Sequence, residues 1–136
     1  MSDAPKLPII LEHGKLTRWH WTVWHPENLI LPNSVDIGAF TYINALYGIE
    51  IGEDVQIGSH CSIYSVSSID DKHGKVTIGR NARVGSHSTI MPGVTIGEGA
   101  TVGAHSFVNR DVSPGTTVFG VPARTLRDKI HDNCRL

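Results

Sequence analysis

Apolar and polar positions between Val76 and Val108 repeat every six residues. Ile78, Val84, Ile90, Ile96 and Val102 recur at that interval, and Gly79, Gly85, Gly97 and Gly103 directly follow four of them. An α-helix places apolar residues at a period near 3.6 and is weakened by so much glycine and β-branched side chain. A six-residue period predicts instead a short strand and a tight turn, repeated, with the aliphatic residue inward. The register extends in both directions, through Leu31, Ile37, Ile43, Ile51, Ile57, Ile63 and Ile69 before Ile78, and on to Val108. Two residues before many of these stands a small or β-branched residue that suits a tight corner, as at Val35, Cys61, Ser67, Ala82, Ser88, Ala100 and Ser106. Cys61 is thereby read as a packing residue and not a nucleophile.

Two interruptions break the period. Two extra residues lie between Ile43 and Ile51, and three lie between Ile69 and Ile78, where the loop carries His73. A repeat has no need to break its own period, and loops on a rigid scaffold often carry chemistry. Outside the repeat, residues 1–30 hold all three tryptophans, Trp19, Trp21 and Trp24. The first end of a stacked sheet is an open strand edge, so this aromatic segment is expected to cap it. The rival reading has Trp19, His20, Trp21 or His25 lining an acceptor pocket, an aromatic face against a sugar ring. At the other end a short helix is expected from Arg124, with Leu126 and Ile130 at an i, i+4 spacing facing the repeat. The organisation is then a capping segment at 1–30, a repeat domain at 31–123 and a helical tail at 124–136.

The hexads, with the SFVNRD segment at Ser106 to Asp111 and the GVPA segment at Gly120 to Ala123, resemble the hexapeptide-repeat acyltransferases, among them the sugar O- and N-acetyltransferases. The resemblance runs over about residues 31 to 127. It implies an all-β fold, a left-handed parallel β-helix of triangular section with three hexads to a coil. The left hand comes from the resemblance, since a crossover between parallel strands otherwise favours the opposite hand. Thirteen registers then make somewhat over four coils, a prism roughly 20 Å tall at the spacing of a strand ladder.

The resemblance also implies chemistry: an acetyl-CoA-dependent acetyltransferase whose acceptor is a nucleotide-linked or envelope-polysaccharide sugar. Acetyl transfer to a hydroxyl or amine requires removal of the acceptor's proton, and an imidazole titrating near neutrality can take it. His73 is the candidate base, within about one residue of the family's loop histidine when counted from the Ile57 to Cys61 hexad. The family's histidine is often followed by Pro where Gly74 stands here, and this loop is shorter. The donor track falls on Ser86 and Ala104, 18 residues apart and hence stacked, with Asn109 and Arg110 beyond them and Arg127 as a second phosphate cation. Asn44 is the candidate for sugar hydroxyls, because an amide donates and accepts, and Asp70 and Asp71 could orient the imidazole or hold an acceptor ammonium. Counting registers puts Ser86 and Ala104 on one wall and the His73 loop at the corner between the other two. One subunit cannot easily join them, so a homotrimer with sites shared between subunits is expected. Whether nitrogen or oxygen receives the acetyl group stays open.

Composition adds mainly exclusions. With 136 residues and 40% hydrophobic content the chain suits one domain with a narrow core. Twelve basic against 13 acidic residues leave a formal charge of -1, with no basic patch that would point to nucleic acid or an acidic membrane surface. No run reaches membrane-spanning length, and the opening residues do not read as a secretory signal. Two cysteines, Cys61 and Cys134, make neither a disulfide framework nor a zinc site, so reduced thiols in a cytoplasm are expected. His60, His87 and His105 share one outward hexad position, as lining for a subunit interface. Such a column could instead hold zinc, as in the γ-class carbonic anhydrases of the same fold, but no acidic and glutamine elements accompany it, and no metal is assigned. A metal-dependent enzyme of that kind, or a non-catalytic β-helix scaffold, is the alternative function.

Overall fold

A computed structural model describes residues 9–133, with side chains to residue 130; Cys134 lies outside it. The hexads form parallel ladders on three walls of a prism. The first wall holds Thr22–Trp24, Tyr42–Asn44, Ser62–Tyr64, Thr89–Ile90 and Phe107–Val108. The second holds Leu29–Ile30, Ile49–Ile51, Val76–Ile78 and Thr95–Ile96. The third holds Asp36–Ile37, Gln56–Ile57, Arg83–Val84, Thr101–Val102 and Thr117–Val118. The chain visits the walls in turn, so it is a parallel β-helix of about five coils, each strand paired with its equivalent one coil on. Residues alternate across a strand, which sends Ile43, Ile63, Ile78, Ile90, Ile96 and Val102 inward, where each is at most 1% exposed.

The stack begins earlier than the hexads indicate. Val23 pairs with Ile43 and is fully buried, so Thr22–Trp24 is the first strand of the first coil, inside the segment expected to lie wholly outside the repeat. Its register is hidden in the sequence because Val23 stands eight residues before Leu31 instead of six. The capping role falls to the residues before it. Leu16 bridges Thr22 in antiparallel fashion, and the Gly14 N–H donates to the Val23 carbonyl at 2.8 Å. Ile9 and Leu11 pack against the end of the core. Of the tryptophans, Trp21 is buried in the core, while Trp19 and Trp24 remain partly exposed.

Ile69 departs from the expected register. It is 95% exposed, because Val66–Ser67 and Lys72–His73 form a small antiparallel hairpin that leaves the prism between the first and second walls. Ile69 rides on its turn. Removing it from the count aligns Ile78 with Ile51, one coil apart on the second wall. The irregularities of the repeat then fall at one corner: the turn after Trp24, the Ala45–Gly48 turn, this hairpin, and the shortened step from Val108 to Val112, which bridges Ile96. At the far end Phe119 bridges Arg124, Ala123 is buried, and a helix follows over Leu126–Asn133.

Candidate functional site

The hairpin and the outer face of the first wall enclose a groove of about 320 Å³. Its floor is Tyr42, Asn44, Tyr64, Met91 and Phe107, and its side is Val66 to Asp70. Tyr42, Asn44 and Tyr64 point outward because they flank the inward Ile43 and Ile63 on adjacent paired strands. The tyrosine rings lie 5.6 Å apart at 50°. Of the acceptor residues expected from sequence, Asn44 and Asp70 line the groove, whereas Asp71 does not. The Asn44 amide donates to the Tyr42 hydroxyl at 3.2 Å and accepts from the Leu46 N–H at 3.2 Å. Asp70 accepts from the Ser67 hydroxyl at 3.0 Å, which ties the hairpin's turn to its first strand.

His73 does not line the groove. It stands opposite Val66, which does, and so marks the groove's margin. Its ring is exposed and meets Tyr47 edge to face, centroids 4.5 Å apart at 77°. Sequence reasoning passed over Tyr42, Tyr64, Phe107 and Tyr47. The signal for the first two was available, since an aromatic residue beside an inward isoleucine on a short strand must face out.

The expected donor residues are split: Asn109 and Arg110 follow Phe107–Val108 at the corner the hairpin also leaves, whereas Ser86 and Ala104 lie elsewhere. Ser86 and Ala104 occupy the corner between the third and first walls, one coil apart, and the His105 N–H donates to the Ser86 carbonyl at 2.9 Å. Coils pass so closely here that a Cβ on Gly85 would lie 2.5 Å from the Ala104 nitrogen. Beside this track run His60, His87 and His105, stacked ring on ring at 4.8 Å and within 5° of parallel. Phe40 and His20 extend the column toward the first coil, and all five residues adopt positive φ. The His73 hairpin and this track thus sit at opposite edges of the first wall.

Asn109 and Arg110 are exposed and already engaged. Asn109 accepts from Arg124 at 3.0 Å, and Arg110 pairs with Asp128 at 3.1 Å. Arg127 is exposed and makes no ion pair among the described residues. The Arg110 pair also accounts for a correction at the helix. Leu126 and Ile130 were expected to face the prism but are 61% and 55% exposed. Asp128 lies about half a helical turn from each, so a helix that turns Asp128 to Arg110 turns both apolar residues outward.

Cys61 is 1% exposed, and its Sγ donates to the Gly85 carbonyl at 3.2 Å. Burial raises its thiol above the ordinary value, partly offset by the backbone N–H groups of Ser88 and His87. A thiol so placed is a packing group and not a nucleophile.

With this geometry in hand, comparison with known proteins assigns the repeat. Residues 75–110 match the family described as bacterial transferase hexapeptide (six repeats). Those residues carry the hexapeptide repeat. The chain is 42% identical over 106 residues to Nodulation protein L of Rhizobium meliloti (strain 1021), spanning 67% of this chain and 58% of that protein. Galactoside O-acetyltransferase of Escherichia coli (strain K12) is 36% identical over 91 residues, 60% of this chain and 45% of that protein. The chain therefore spans about half the length of the curated relatives it matches. Among solved structures, a serine-to-cysteine mutant of AntD, an N-acyltransferase from Bacillus cereus in complex with dTDP-4-amino-4,6-dideoxyglucose and coenzyme A, shares the fold at a TM-score of 0.66 and 22% identity, over 88% of this chain and 86% of that one. Among the described residues no helix is long and apolar enough to cross a membrane, and no cluster of three His, Cys, Asp or Glu side chains could hold a metal ion.

Proposed function

We propose that this hexapeptide-repeat protein transfers an acetyl group from acetyl-CoA to a hydroxyl or amino group of a sugar. The observation that carries the reading is the groove between the hairpin and the first wall, with its two tyrosines, an amide and a carboxylate. Aromatic faces with a few polar groups suit a sugar ring, whose C–H faces stack while its hydroxyls bond. The coenzyme A in the AntD complex and the O-acetyltransferase named among the relatives support the donor.

In this reading Asn44 and Asp70 hold the acceptor, with Asp71 beside them on the hairpin. His73 takes the acceptor's proton as its oxygen or nitrogen attacks the thioester carbonyl. Backbone N–H groups of the coil wall stabilise the oxyanion, and the proton passes to the departing thiolate. The pantetheine arm lies along Ser86 and Ala104, where only small side chains permit close approach. Asn109, Arg110 and Arg127 meet the polar and phosphate portions of the donor. Arg110 would leave Asp128 to do so, which costs at most about 1 kcal/mol for a pair as exposed as this one. Because track and hairpin stand at opposite edges of one wall, the site closes between subunits of a homotrimer, in the cytoplasm.

The test is coenzyme A release from acetyl-CoA by the purified protein, over a panel of amino sugars and their hydroxyl counterparts, free and nucleotide-linked. Release with one acceptor class establishes the transfer and names the atom acetylated. Ala104→Trp is expected to raise the KM for acetyl-CoA at least about tenfold by filling the track. Absence of release across the panel, with no binding of acetyl-CoA, overturns the transferase reading.

A further inference from the structure

The two breaks in the six-residue period that the sequence displays carry Tyr47 and His73, 26 residues apart, yet the fold brings them into contact. The Ala45–Gly48 turn and the hairpin leave the same corner of successive coils, and each contributes one ring, Tyr47 from the first and His73 from the second. The rings meet at 4.5 Å and 77°, an edge-to-face geometry that aromatic pairs favour.

Both residues hang from one buried anchor, Ser65. The Tyr47 N–H donates to the Ser65 hydroxyl at 3.0 Å, and that hydroxyl donates to the Asn44 carbonyl at 2.7 Å. The N–H of Gly74, the residue after His73, donates to the Ser65 carbonyl at 2.9 Å. Ser65 is fully buried, at the root of the hairpin. One residue thus fixes the backbone under the groove amide, under the tyrosine and under the histidine. Without Tyr47, the His73 side chain would stand alone on a two-residue strand in solvent, free to exchange rotamers. A general base must hold hydrogen-bond reach of the proton it removes, and a free rotor seldom does.

We propose that Tyr47 is the positioning residue of His73, its ring holding the imidazole in one orientation at the margin of the acceptor groove. This rests on the reading of His73 as base. The ring does the work and the hydroxyl does not, since the hydroxyl makes no hydrogen bond among the described residues.

The experiment compares Tyr47→Ala, Tyr47→Phe and His73→Ala in steady-state turnover, with the pH dependence of kcat and the NMR titration of the His73 ring protons, assigned by their loss in His73→Ala. Tyr47→Ala is expected to lower kcat by about ten- to a hundredfold with KM for both substrates little changed, as expected for a misplaced catalytic group. Tyr47→Phe is expected to keep wild-type turnover. The His73 ring protons should move on Tyr47→Ala, through loss of the ring current, and stay in place in Tyr47→Phe. Wild-type kcat in Tyr47→Ala beside an inactive His73→Ala overturns the positioning role alone. Full turnover in His73→Ala overturns the base itself, and the positioning role with it. Unmoved His73 protons in Tyr47→Ala show that the rings do not meet in solution and overturn the proposal whatever the rates.

Discussion

Cys61 illustrates how a single side chain serves this architecture. Its thiol reaches the Gly85 carbonyl of the next coil, as the Thr41 hydroxyl reaches Gly58 and the Ser88 hydroxyl reaches Gly103. Four successive coils thus place a small donor at the same inward corner, Thr41, Cys61, Ser88 and Ser106, each at most 2% exposed. Sequence spacing identified Cys61 as a corner packing residue, but the hydrogen-bonding role needed the neighbouring coil. Cys61→Ser is therefore expected to cost at most about 1 kcal/mol, the scale of one net hydrogen bond, measured by chemical denaturation. The buried neutral thiol also implies a pH dependence. Its folded pKa lies above the unfolded value of 9.0, so its contribution is whole below that pH and is lost as pH rises toward the folded pKa, because only the unfolded chain then gains thiolate. A loss of stability above pH 9 that is smaller in Cys61→Ser would bear this out; identical profiles would contradict it.

At the scale of the hexad, glycine does two different jobs. Gly85 has ordinary φ but no room, with the Ala104 nitrogen 2.5 Å from where a Cβ would sit. Gly93 has open space but φ of +80°. Gly85→Ala must push coil from coil and is expected to cost about 1–3 kcal/mol, the range of overpacking. Gly93→Ala carries only the left-handed backbone penalty, about 1–2 kcal/mol. Melting curves of the two variants should rank Gly85→Ala as the less stable, and the reverse order would show that the coils can spread. The strand-and-turn hexads were legible in the sequence because inward aliphatics and close-approach glycines repeat with them. The hairpin was not legible as a hairpin. Ile69 falls six residues after Ile63 by coincidence, and an apolar residue in register looks the same whether it is covered or not.

At the scale of the whole molecule, the separation of hairpin and donor track across the first wall bears on whether the proposed site is shared between subunits. If the sites are shared, co-expression of His73→Ala with Ala104→Trp should give, at acetyl-CoA far below the raised KM of Ala104→Trp, more turnover than either variant shows alone. About a quarter of the sites in randomly mixed trimers would pair an intact loop with an intact track. Recovery in the mixture, with a trimeric mass by sedimentation, would establish sharing, while mixtures as inactive as their parents would place each site within one chain. The exposed face of the C-terminal helix belongs to the same scale. The i, i+4 pattern of Leu126 and Ile130 correctly indicated a helix, but which side it presents depends on Arg110, 18 residues from Asp128 and on another element.

By itself the sequence determined the repeated strand and turn, because each hexad writes its own strand, corner and inward residue, and neighbouring hexads only repeat the instruction. It also marked the two places where the chain departs from that instruction. Tertiary structure alone decided where those departures meet. Tyr47 and His73, Asn44 and Asp70, and Arg110 and Asp128 are joined by the stacking of coils and the docking of the helix. The reason is physical: repeats are local and legible along the chain, whereas a site is made of residues from different coils, and their proximity depends on how many residues each corner adds.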